Sequence, residues 1–239
     1  MIRLLKDLAR KVIPNSVLKQ INGRKFAGKS PEEVFNQIFR DEHWKHQGES
    51  VSGAGSEMAA TATIRKRLPD LFKKYQINTM LDIPCGDLHW MTDILDRTDV
   101  QYTGGDIVRD LIERNQKQYG RQGVNFKHLD LIDGPLPQVD LVLSRDVWIH
   151  FSFEHIQRSI RTLVDSGSTY LLASTYPATD LNRDIHTGNS RPIDLTKAPF
   201  NFPPPVESIQ EDSPDGVNKA TRSKQLALWR IADLKKTLK

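Results

Sequence analysis

Met80-Leu81-Asp82-Ile83-Pro84-Cys85-Gly86-Asp87-Leu88-His89-Trp90 decides how this chain is read. A short apolar run ends in an acid, passes through a turn and opens a second periodic segment. The pattern predicts a buried strand that delivers Asp82 and a one-glycine loop to a ligand, because the crevice of an open α/β sheet lies outside the carboxyl ends of its strands. Taken alone, the stretch is equally an ordinary strand-to-helix turn. The segments that follow give it weight.

Downstream the periodicity alternates. Residues 88–95 read as helix, 102–107 as strand, 111–119 as helix, 124–129 as strand, 139–143 as strand, 153–164 as helix and 169–173 as strand. Such alternation implies a mostly parallel sheet of about seven strands with helices on both faces, and right-handed crossovers set the strand ends on one edge. Those ends carry polar residues in succession: Asp82, Asp106, Asp130, then Ser144-Arg145-Asp146. A helix cap or turn acid accounts for any one of them but poorly for all four.

Upstream, Ser30-Pro31-Glu32-Glu33 has the form of a capped helix start, with Val34, Phe35, Ile38 and Phe39 as its apolar face. His43 and His46 are three apart but lack a third ligand nearby, so no metal site is expected. Ser50 to Ser56 is a small-residue loop, either a flexible linker or a donor of backbone N–H groups, leading into a helix through Met58 and Leu68 that should be interrupted at Pro69. Beyond the fifth strand, a long aperiodic stretch through Asn182, Asp184, His186 and Arg191 is expected to be a lid or binding loop, with Phe200-Asn201-Phe202 and its prolines as an ordered wall. Residues 211–223 read as mobile, and 226–234 as a last apolar strand.

The 239 residues suit one large domain preceded by an arm, divided here as 1–30 and 31–239. Net charge is +4, but it is unevenly spread: the first 30 residues hold Arg3, Lys6, Arg10, Lys11, Lys19, Arg24, Lys25 and Lys29 against Asp7 alone, and the rest is mildly acidic. A nucleic-acid footprint would cover the working domain, so nucleic acid is not the expected substrate. Leu5, Leu8, Ala9 and Val12 put one apolar stripe on a short basic helix ended by Pro14, a candidate contact for a membrane surface or a partner protein. One cysteine, Cys85, excludes an internal disulfide. With neither a secretory h-region nor a membrane-length apolar run, the expected location is cytoplasmic, peripheral at the inner face of the membrane if the arm binds lipid.

With these strand ends in place, the chain resembles the class I S-adenosylmethionine-dependent methyltransferases. More narrowly, Asp82-Ile83-Pro84-Cys85-Gly86-Asp87 with Ser52-Gly53-Ala54-Gly55-Ser56, Gly105-Asp106-Ile107-Val108 and Arg145-Asp146 is similar to a small bacterial family often met among surface-polysaccharide genes. The likeness runs from about Pro31 to the C-terminus. It departs from the wider superfamily in the first loop, where Pro84 and Leu88 replace glycines and only Gly86 remains.

The resemblance implies a Rossmann-like sheet with S-adenosylmethionine as cofactor. Asp82 would orient the methionine amino group, Gly86 would let the backbone approach, Asp106 would take both ribose hydroxyls, and Asp130 would accept from the adenine amine beside Leu131. Pro84, Cys85, Asp87, Trp90, Ile107 and Arg145 complete the expected cofactor set. Ser52, Gly53 and Ser56 would belong to a loop folded over the methionine end. A dinucleotide dehydrogenase also holds a ribose with an acid, but the chain lacks G-x-G-x-x-G to seat a pyrophosphate.

A sugar hydroxyl needs its proton removed before it attacks a methyl group. His150 and Asp146 are the first candidate bases, His186 and Asp184 the second. The leading expectation is O-methylation of a carbohydrate in surface-glycan assembly. The alternatives are a small-molecule methyltransferase and a cofactor-binding subunit without chemistry.

Overall fold

The computed structural model describes residues 25–44, 49–211 and 218–238, so the expected basic helix around Leu5 to Val12 and His46 lie outside the described residues. In chain order come α1 (Pro31–Arg40), α2 (Ala62–Tyr75), β1 (Thr79–Asp82), α3 (Met91–Leu95), β2 (Gln101–Asp106), α4 (Arg109–Tyr119) and β3 (Val124–His128). Then follow β4 (Leu141–Ser144), α5 (Phe153–Asp165), β5 (Tyr170–Thr175), β6 (Glu207–Gln210), α6 (Lys219–Arg222), β7 (Gln225–Arg230) and α7 (Ile231–Leu234). Single 3-10 turns cover Ala54–Ser56, Trp148–His150 and Lys235–Thr237.

The strands form one seven-stranded sheet in the order β3-β2-β1-β4-β5-β7-β6. β1 to β5 pair in parallel, and β7 runs antiparallel to both β5 and β6. Because successive side chains of a strand point to opposite faces, β1 sends Met80 into one core with Ile64, Leu68, Met91 and Ile94, and Leu81 into the other with Ile156, Ile160 and Trp229. Covered on both sides, the central strands are apolar throughout, as in Leu141-Val142-Leu143. Chain order reverses between β1 and β4, and the crevice opens there.

Several boundaries differ from the sequence reading. α2 continues through Pro69, which cannot donate to the carbonyl of Arg65. That carbonyl instead accepts from the Arg97 guanidinium at 2.9 Å, so the gap in the helix ladder is filled from outside. Leu88 is no helix start: its φ is 62°, and α3 begins only at Met91. The last strand stops at Arg230, opposite the first residue of β5; with no partner beyond, the chain turns into α7 as Ile231 N–H reaches the Thr169 carbonyl.

The long stretch after β5 is a packed layer, not a lid. Ile193, Leu195, Phe200 and Phe202 are buried against the second core, Trp229 donates to the Pro203 carbonyl, and Asn182 is cross-bonded to Asp194. Glu211 is likewise not part of a mobile segment but buried at the end of β6. Among the described residues no helix is long and apolar enough to cross a membrane.

Arg97→Ala is expected to lower stability in urea unfolding by about 1 kcal/mol, and by less in a Pro69→Ala background, where a new N–H serves the Arg65 carbonyl. Equal losses in both backgrounds would show that this bond carries no stability.

Candidate active site

A pocket of about 470 Å³ opens at the ends of β1, β2, β3 and β4 and is roofed by α1. Of the residues expected to meet the cofactor, Asp82, Pro84, Cys85, Gly86, Trp90, Asp106, Ile107, Asp130, Leu131, Arg145, Ser52, Gly53 and Ser56 line it. Asp87 does not. Its carboxylate accepts from Ser50 Oγ and Val51 N–H, both at 2.8 Å, while its own N–H donates to Ser52 Oγ. It is therefore the anchor of the 50–52 loop.

Gly86 has a φ of 58°, and a Cβ there would lie 2.5 Å from Ser52 Oγ. Ser52 thus fills the space beside the Gly86 Cα, while Gly86 itself lines the pocket. Asn115, fully buried on α4, donates to the Gly86 carbonyl at 2.7 Å and fixes the turn from below.

The two central acids are buried. Asp82 accepts from Tyr102 Oη at 2.9 Å; burial, against the help of Tyr102 and Arg145, pushes its pKa up to about 7. Asp106 accepts from the N–H groups of Val108 at 3.0 Å and Gly86 at 3.3 Å, and burial still raises its pKa to about 6. Two carboxylates deprived of water stay ionised most easily when a ligand brings positive charge. Beside them Ile107, Val108, Leu129, Leu131 and Ile132 form an apolar slot that suits a flat ring, with Asp130 at its edge.

On the opposite wall stand Arg145, Asp146, Tyr176 and Lys224. Arg145 donates to Glu211 Oε2 through Nε at 3.0 Å and Nη2 at 2.6 Å, and lies over the Trp90 ring. Lys224 Nζ is 2.5 Å from Asp146 Oδ2 and 3.2 Å from Glu211 Oε2. Burial alone would raise the Asp146 pKa, but Lys224 and Arg145, with hydrogen bonds from Lys224 and Ser174, hold it well below the usual carboxylate range. Ion-paired in this way, Asp146 is a weaker base than a free carboxylate, which makes it the less suited of the two first candidates.

His150 differs in kind. Its Nδ1 lies 2.9 Å from the Asn189 carbonyl, which can only accept, so Nδ1 carries the proton and Nε2 is the acceptor. Burial lowers its pKa and keeps the ring neutral. The other two candidate bases fall outside the pocket lining. Asp184 accepts from Phe153 N–H at 2.7 Å and so caps the start of α5, while the His186 side chain is exposed on the stretch after β5.

Sequence reasoning missed one wall of the pocket and part of its roof. α1 buries Val34 and Ile38 against Phe26 and turns Phe35 and Phe39 to the pocket; Trp44 follows, its ring 4.7 Å from that of His150. The i, i+4 spacing of Phe35 and Phe39 was the available signal. Lys224 and Thr221 arrive because β7 is reversed, which puts its start at the edge where the parallel strands end.

Residues 81–172 match the sequence model of a methyltransferase domain. The sheet to which this segment belongs has the class I methyltransferase fold. The two buried acids and the apolar slot fit S-adenosylmethionine in charge and shape. Among solved structures, the methyltransferase domain of bacterial CtHen1-CN is similar, with 12% identity, a TM-score of 0.53, and coverage of 72% of this chain and 99% of that one. TnmH is similar at 13% identity and a TM-score of 0.54, covering 73% of this chain but 55% of TnmH. Magnesium protoporphyrin IX methyltransferase from Synechocystis PCC 6803, solved with bound SAM, gives 16% identity, a TM-score of 0.46, and coverage of 66% and 82%. At such identities the likeness is one of fold. Among curated proteins, none matches this sequence.

The raised acids set a pH dependence. Between about pH 4 and pH 7 the folded methyltransferase binds more protons than the unfolded chain, so Asp82 and Asp106 make the cofactor-free protein less stable as pH rises through that window. Cofactor affinity should run the other way and fall as pH drops from 8 through 7 to 6, as read by calorimetry. Asp82→Asn should raise the melting temperature of the free protein at pH 8, by about 2–4 °C for each kcal/mol regained, and weaken cofactor binding. A lowered melting temperature would show that the buried charge is not a source of strain.

Proposed function

We propose that this methyltransferase methylates a hydroxyl of a sugar, in a surface glycan or one of its precursors. The observation that carries the reading is His150, neutral, with Nε2 as its proton acceptor, set in a pocket wall beside Trp44, Phe39 and Phe151. Aromatic faces suit the C–H faces of a pyranose, and a neutral imidazole suits a hydroxyl proton. Asp82, Asp106 and Asp130 would hold the cofactor, which supplies an electrophilic methyl group. The chain's own work is to orient the acceptor oxygen, shut out water beneath α1 and take the proton at His150 Nε2. Asp146, locked to Lys224, would shape the acceptor wall without titrating.

The test is methyl-labelled cofactor with nucleotide sugars and glycan fragments, set against amines, small phenols, RNA and protein. Labelled sugar is expected, and His150→Ala should cut turnover by about 100-fold or more with cofactor affinity unchanged. Turnover confined to another class would overturn the sugar, and cofactor binding without turnover on any of them would favour a subunit without chemistry.

Residues 1–30 are proposed as the contact with an anionic membrane surface or a partner protein, on the strength of their concentrated positive charge. Lys6→Glu with Arg10→Glu should abolish sedimentation with phosphatidylglycerol vesicles and leave turnover on a soluble acceptor intact. Unchanged sedimentation would turn the reading toward a protein partner.

A further inference from the structure

The turn that carries His150 is held from outside by one segment. The Trp148 carbonyl accepts from Arg191 Nη1 at 2.7 Å, that of Ile149 from the Arg191 backbone N–H at 3.1 Å, that of His150 from Gly188 N–H at 2.8 Å, and that of Phe151 from Arg191 Nη2 at 2.7 Å. Every carbonyl from 148 to 151 is thus served by residues 188–191, and Asn189 of the same segment takes the His150 ring proton. Arg191 makes three of these bonds, its guanidinium lying over the Phe153 ring, with Nε on the Arg183 carbonyl. A planar fork can bridge two carbonyls that a lysine cannot reach together.

We propose that Arg191 is a positioning residue that fixes His150 in the pocket wall as the Nδ1–H tautomer. The inference rests on the reading of His150 as the base. The segment is pinned in turn: Gly188 has a φ of 99°, and a Cβ there would lie 2.5 Å from Val34 Cγ1, so α1 packs directly on it. Burial draws the Arg191 pKa down to about 10, which leaves it cationic at neutral pH. The charged and titratable groups that act on His150 are Asp146 from the end of β4, which favours the imidazolium, and Arg191 and His43, which disfavour it; Trp44 covers the ring and Asn189 presents its carbonyl. Arg191 therefore acts twice, through its fork on the position of the turn and through its charge on the protonation of the ring.

The test is nitrogen-15 NMR of the full chain labelled at histidine, with the His150 signals assigned by His150→Gln. The wild type should show the Nδ1–H tautomer. Arg191→Gln should mix the tautomers and raise the protonated fraction at pH 6 by about twofold or more, since a nearby cation is lost. Arg191→Lys keeps the charge without the fork, so it should mix the tautomers and leave the protonated fraction near wild type. On a turned-over acceptor, both variants should lower kcat and spare the KM of the cofactor. An unaltered tautomer in both variants would overturn the proposal; should Arg191→Gln not fold, Arg191→Lys decides on the tautomer alone. The NMR result needs no acceptor, so it separates failure of this brace from failure of the base reading, which full activity of His150→Gln would reveal.

Discussion

Two carboxylates kept from water with no cation in contact among the described residues are the constraint around which this site is arranged. Asp82 and Asp106 stand at the ends of adjacent strands, and among the described residues their charge is answered by a phenol, backbone N–H groups, the Arg145 guanidinium and His128, none of them in an ion-pair contact. Such a centre is costly to fold and is completed by a cationic ligand. The remaining architecture keeps that cost local. The parallel strands carry apolar side chains on both faces, and the polar groups are confined to the edge where chain order reverses.

The opposite wall solves the charge problem differently. Arg145, Asp146, Glu211 and Lys224 neutralise one another, so their charges are already spent on structure. His150 nearby is left neutral, and the proposed proton transfer is placed there. One side of the pocket thus invites charge, and the other refuses it. That asymmetry is what the proposed pairing of a cationic donor with an uncharged hydroxyl would require.

The sequence was legible where a local pattern and the global fold agree. Strand ends could be read because each strand pattern ran into an acid: Asp82 and Asp106 close β1 and β2, and Asp130 lies two residues beyond β3. Pro69 misled because the compensating donor, Arg97, is distant in sequence. Leu88 misled because its backbone is left-handed, next to the loop anchor at Asp87, and periodicity does not encode such a turn. Lys224 and Glu211 were invisible as site residues because their roles depend on the reversed direction of β7. Asp184 and His186 looked chemical by residue type alone, and only packing shows one of them to be a helix cap.

Ser52 fills the space that a side chain at position 86 would need, and its hydroxyl receives the neighbouring N–H. These two positions, remote along the chain, are therefore a single unit under mutation. Enlarging one demands shrinking the other, and the effects of paired changes will not add. Variation within relatives should then be sought at both positions together, with any bulkier residue in the turn accompanied by a glycine in the upstream loop.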